Sequence, residues 1–153
     1  MPVEFDKHGY LQPYELIQID WETFEQLFVN GFPQSKTRKQ LFENYQQWVK
    51  EMRKILNINF TQWIDGSFVT RKVDPNDIDV VVFVDYEVFK EKRLLFVDRE
   101  RLKQQSGIDL YFVNIYPLDH SYHFRTLFDE EEWLSIFGFD RKNQPKGFIK
   151  LNS

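Results

Sequence analysis

Apolar residues fall in two distinct rhythms along this chain. Ile78 to Val84 (IDVVVFV) is β-branched and aromatic but for Asp79, which predicts a strand. Gly107 to Val113 (GIDLYFV) repeats the pattern and stops short of Pro117, and Phe60 to Ile64 (FTQWI) predicts a third strand. Elsewhere the spacing is helical. Leu41, Tyr45, Trp48, Val49, Met52, Ile55 and Leu56 share one face of a long helix capped by Ser35 and ending near Leu56. Its basic side chains Lys36, Arg38, Lys39, Lys50, Arg53 and Lys54 are expected on the solvated face. Asp20 caps a shorter helix, Trp21 to Asn30, stopped by Gly31. The charged stretch 86–105 reads as helical, with Asp85 as cap and Gly107 as stop. Asp129 is expected to cap a helix from Glu130 to Phe137, closed at Gly138. Residues 1–19, interrupted by Gly9 and Pro13, read as an irregular lead-in. With no repeat, linker or low-complexity stretch, these elements predict a single domain over residues 1–153. Its class is α/β (α+β): a small mixed sheet flanked by helices.

The candidate chemistry sits at the starts of the strands. Asp77 and Asp79 are two residues apart, so on a strand both carboxylates point to one face while Ile78 and Val80 point to the other. Like charges held that close are hard to keep ionised without a cation. Mg²⁺ favours one or two carboxylates together with phosphate oxygens and water. Asp109 sets a third carboxylate into the Gly107–Val113 run, and joins the first two if the strands are neighbours. Upstream, Gly66-Ser67 follows the predicted Phe60–Ile64 strand and precedes Phe68 to Lys72, which is long enough for one helical turn. Glycine permits close backbone approach, serine is a good N-cap, and a helix N-terminus attracts phosphate. Arg71 and Lys72 can add positive charge to that cradle. Pro75-Asn76 then turns the chain into the acidic strand.

The stretch W-I-D-G-S-F-V-T-R-K-V-D-P-N-D-I-D-V-V-V resembles the signature of the DNA polymerase β-like nucleotidyltransferase superfamily. More narrowly, it resembles the small stand-alone bacterial minimal nucleotidyltransferases. Their pattern is Gly-Ser, a nine-residue gap, Asp-x-Asp, and a third acid on a later strand. The resemblance implies that Gly66 and Ser67 contact a nucleoside triphosphate, that Asp77 and Asp79 bind two Mg²⁺ (or Mn²⁺) ions, and that Asp109 helps activate an acceptor hydroxyl. It runs from Phe60 to Val113, about a third of the chain. One position departs from the pattern. The family often carries Arg-Gly at the fourth and fifth residues after the glycine, where this chain has Thr70 and Arg71, so the basic residue is displaced by one. Many relatives of this kind act as antitoxins beside a HEPN-type toxin. The resemblance therefore implies a toxin or an RNA as acceptor or partner.

Composition narrows the field further. The chain has 153 residues, no cysteine and a net charge of −4, which argues against disulfide or thiol chemistry and against a general nucleic-acid-binding module. Met1 to Tyr10 lacks the basic and apolar regions of a signal peptide, and no apolar run nears the ~20 residues that span a bilayer, so the expectation is a cytoplasmic protein. From Gly138 onward, Arg141, Lys142, Lys146 and Lys150 face Asp140 alone, so this segment carries +3 against −7 for the rest. It predicts a solvated terminal hairpin pinned by Phe148 and Ile149, with a lid over the triphosphate as the alternative. His120-x-x-His123 lacks further ligands nearby and reads as two ordinary histidines. Three functional classes stay open at this level. The first is a nucleotidyltransferase. The second is an antitoxin or regulator acting by contact on the same scaffold. The third is a nucleotide sensor without turnover.

Overall fold

The run Ile78–Asp85 is buried on both sides. Ile78, Val80, Val82 and Val84 enter one core and Val81 and Phe83 a second, as expected of a strand with helices over both faces. The computed structural model describes residues 3–153. Its elements in chain order are β1 (Glu4–Phe5), β2 (Leu11–Gln12), β3 (Leu16–Gln18), α1 (Trp21–Glu25), α2 (Arg38–Leu56), β4 (Thr61–Asp65), β5 (Ile78–Asp85), α3 (Tyr86–Glu91), α4 (Arg99–Ser106), β6 (Ile108–Ile115), α5 (His123–Phe137) and β7 (Phe148–Asn152). Five strands form one mixed sheet in the order β3-β7-β4-β5-β6, and β1 pairs with β2 in a separate hairpin. Strands β3 and β7, and β5 and β6, run parallel; β4 is antiparallel to both β5 and β7. The α/β class and the mixed sheet flanked by helices are as the sequence predicts. Among the described residues, no helix is long and apolar enough to cross a membrane.

The larger core lies between the sheet and α1, α2, α3 and α4, and the smaller one between the sheet and α5. Asp20 caps α1 as predicted, accepting from the Thr23 amide at 2.7 Å. The helix then widens into a π turn, Gln26–Asn30, closed by the Gly31 amide on the Gln26 carbonyl. In α2, Leu41, Tyr45, Val49, Met52 and Leu56 are buried as expected, Phe42 joins them, and Ile55 is exposed.

Several boundaries differ from the sequence expectation. The lead-in is not irregular: it forms the β1–β2 hairpin and the edge strand β3. Stretch 86–105 is two helices, separated at Arg93 (φ 54°) and a 3-10 turn at Leu94–Phe96. The last helix starts at His123, so Asp129 lies in its second turn and caps nothing. The basic segment does not end in a solvated hairpin. Phe148 and Ile149 are buried as expected, but with Leu151 they make β7 an interior strand between β3 and β4.

The largest correction is Arg38. Instead of facing solvent it is fully buried. Its guanidinium lies 3.8 Å from the Phe32 ring centre and 5.0 Å from that of Phe68. All five of its N–H groups donate to backbone carbonyls: Phe28, Phe68 and Thr70 once each, and Lys72 twice. Burial lowers its pKa to about 10, which leaves it charged at neutral pH. A buried charge survives only when every donor is met, and here each one is. Arg38→Met leaves four carbonyls without this donor, and we expect it to cost about 3–5 kcal/mol in urea denaturation. Arg38→Lys should recover only a minor part, because an ammonium lacks the planar fork.

Candidate metal centre

Asp77 is the residue before β5 and Asp79 its second residue. Parallel pairing of β5 with β6 sets Asp79 directly beside Asp109. One carboxylate oxygen from each of Asp77, Asp79 and Asp109 lies within 4.8 Å of the other two. Among the described residues this is the one grouping of histidine, cysteine or acidic side chains with metal-ligand spacing. All three acids are partly buried. Burial, reinforced by the charges on Asp77, Asp109 and Asp65, pushes Asp79 up to about 7. Lys103, on α4, offers partial compensation. Its Nζ is 3.3 Å from Asp109 and 3.8 Å from Asp77, and these neighbours raise its own pKa.

A fourth carboxylate belongs to the same row and was not singled out by sequence. Antiparallel pairing of β4 with β5 sets Asp65 beside Asp79. Asp65 is buried; its Oδ2 accepts from Lys146 Nζ at 2.7 Å, and its Oδ1 is buried without a partner. Burial drives its pKa up to about 6, although Lys146 pulls the other way. The sequence signal for Asp65 was available, since it ends the Trp63-containing strand immediately before Gly66. Lys146 gave no such signal, because it arrives from the far end of the α5–β7 connection.

Gly66 serves these carboxylates directly. Its φ of 80° and ψ of −168° lie in a region open essentially only to glycine. A Cβ there would stand 2.8 Å from Asp79 Cγ. Ser67 begins a single 3-10 turn, Ser67–Val69, whose N-cap position is Gly66 and not the serine. The expected helix N-terminus is therefore one tight turn, too short for an appreciable dipole. Arg71 does not join the carboxylates. Its guanidinium donates to the Asp6 carbonyl at 2.9 Å and lies 5.9 Å from the Phe5 ring centre, so it clamps the β1–β2 hairpin. Lys72 is exposed and contributes its carbonyl to Arg38. His120 and His123 behave as ordinary histidines. His120 Nδ1 accepts from the Tyr122 amide, and His123 Nδ1 lies 2.8 Å from the Tyr116 carbonyl.

Three convergent carboxylates form a hard oxygen donor set, which fits Mg²⁺ or Mn²⁺ better than softer ions. The raised pKa of Asp79 comes first from burial and then from the neighbouring carboxylates, and a bound cation would offset both. Two predictions follow from this crowding. Gly66→Ala should cost on the order of 1–3 kcal/mol by thermal or urea unfolding, from backbone strain alone. In metal-free buffer, ionising Asp79 costs folded-state stability. Its folded pKa exceeds the unfolded one, so its contribution is complete below about pH 4 and is lost as pH rises through about 7. Asp79→Asn should therefore be more stable than wild type at pH 8, by about 1–3 kcal/mol, with the gap closing toward pH 4.

None of the curated proteins and none of the solved structures matches this chain significantly. One family profile does match, over residues 3–152, and so takes in every strand from β1 to β7 and all four carboxylates. The chain belongs to DUF6932, a family of unknown function.

Proposed function

We propose that this protein is a metal-dependent nucleotidyltransferase that moves a nucleoside monophosphate from a triphosphate to a hydroxyl of a protein or RNA acceptor. The observation that carries this reading is the convergence of Asp77, Asp79 and Asp109 on adjacent parallel strands, beside a glycine turn that leaves room for the middle carboxylate. The three aspartates would hold Mg²⁺ or Mn²⁺, and such ions supply charge neutralisation for the phosphates and a more acidic acceptor hydroxyl.

The remaining work falls to the chain itself. Gly66 and Ser67, in the turn that leaves β4, would contact the phosphates. Lys103, half-exposed beside Asp109, offsets part of the charge they bring. Asp109 takes the proton of the acceptor hydroxyl, whose oxygen then bonds to the α-phosphorus. The α–β bridging P–O bond breaks, and pyrophosphate leaves with the electron pair. The Asp65–Lys146 pair closes the floor behind Asp79.

The test is label transfer. The protein is incubated with each α-³²P-labelled nucleoside triphosphate, Mg²⁺ and a lysate of the source cell. Asp77→Ala, Asp79→Ala and Asp109→Ala should each lower transfer at least as far as the ~100-fold that outer-shell partners of metal sites cost. Unchanged labelling by Asp77→Ala and Asp79→Ala would reject the assignment. In parallel, Mn²⁺ should bind the wild type and broaden out of the free-ion EPR spectrum, with the signal restored by Asp79→Ala.

A further inference from the structure

Helix α5 rests on the sheet through a narrow stripe. Thr126 and Phe137 are buried, and Asp129, Glu130 and Trp133 partly so. The opposite side is strongly apolar yet open to solvent: Phe124 is 60% exposed, Leu127 52%, Phe128 65% and Leu134 42%. At 3.6 residues per turn these four share a sector of about 120° facing away from the sheet. Tyr122, its ring edge-on to that of Phe124, extends the patch past the N-terminal end of the helix. A patch of this extent on one element marks an interaction surface.

Charge selects what covers it. Arg125 and Glu132 are seven residues apart, two turns along one flank of the stripe, and Glu131 lies within the stripe itself. Among the described residues none of the three takes part in an ion pair, and Arg125 lies over the Tyr122 ring at 3.9 Å. When two copies of a helix pack antiparallel about a twofold axis, the same flank of each copy meets. A twofold near Phe128 would bring Arg125 level with the partner's Glu132, and Glu132 level with the partner's Arg125. Phe128 would meet the partner's Phe128, and Phe124 the partner's Leu134. Glu131 would also fall beside the partner's Arg125. Parallel packing would put the two copies of this flank on opposite sides of the seam, where Arg125 and Glu132 would find no partner. We propose that the outer face of α5 is a homodimer interface, with two α5 helices packed antiparallel around Phe128 and locked by reciprocal Arg125–Glu132 ion pairs. The interface is isologous, so one patch closes the assembly at two copies.

Sedimentation velocity of the full chain, across about 1–200 µM, tests this. Wild type should shift from monomer to dimer within that range. Phe128→Asp and Arg125→Glu should each weaken the dimer at least about tenfold while keeping the wild-type circular dichroism spectrum. The exchange Arg125→Glu/Glu132→Arg should restore dimerisation, because it reverses both reciprocal pairs together. Wild type that stays monomeric throughout would overturn the proposal and leave the face to a different partner. So would a dimer indifferent to Phe128→Asp, or an Arg125→Glu defect that the exchange does not relieve. None of these outcomes bears on the carboxylate site, which Mn²⁺ binding reads separately.

Discussion

One buried guanidinium ties the site to the rest of the molecule. Between β4 and β5 the chain must cross a loop, and that loop carries the glycine turn and delivers Asp77. Arg38 reaches from the first turn of α2 into this loop and binds the carbonyls of Phe68, Thr70 and Lys72, and on its other side that of Phe28 in the π turn after α1. A charge in the interior is costly unless every donor is met, so the loop has little freedom to depart from the path that meets them. Phe32 and Phe68 exclude water from the guanidinium and restrict it further. The consequence for chemistry is indirect. Arg38 touches none of the carboxylates, but it fixes the segment that holds Gly66 against Asp79.

The sheet then concentrates charge. Asp65, Asp79 and Asp109 lie side by side across three neighbouring strands, with Asp77 at the start of the middle one. Two lysines answer them differently. Lys146 is largely buried on Asp65 and makes a short ion pair. Lys103 is about half exposed and reaches Asp109 and Asp77 at longer distances. One end of the row is therefore neutralised inside the protein, while the other is answered only by a half-exposed lysine. Asp79, in the middle, feels repulsion from both sides.

Much of this was legible in the chain, and the physical reason is locality. Strand alternation gave the shared face of Asp77 and Asp79, and the β-branched and aromatic runs gave β5 and β6. Local caps were equally readable, as at Asp20 and Asp85. The failures share a different cause. Arg38 looks like any other basic residue on an amphipathic helix, since nothing near it in sequence announces four distant carbonyls. Arg71 sits at a plausible phosphate-binding position, but the β1–β2 hairpin folds against it. Lys146 and the interior placement of β7 depend on pairing with strands more than eighty residues away, which no local period encodes. The Asp79–Asp109 register is also nonlocal. From the sequence, Asp109 joins the first two acids only on the condition that the strands are neighbours, and the parallel pairing of β5 with β6 meets it.

The position of β7 has a consequence for biosynthesis. This strand follows all of its sheet neighbours in the chain, yet it lies between β3 and β4. While the chain is being made, β4, β5 and β6 can pair among themselves, but β3 has nothing to join and the free edge of β4 stays open. The connection into β7 also carries Lys146, so until it arrives Asp65 lacks its counterion. Closure of the sheet and the pairing of Asp65 with Lys146 are thus a single late event. A ribosome-bound intermediate would present an unpaired strand edge and an acid without its counterion together, and both would disappear at the same step.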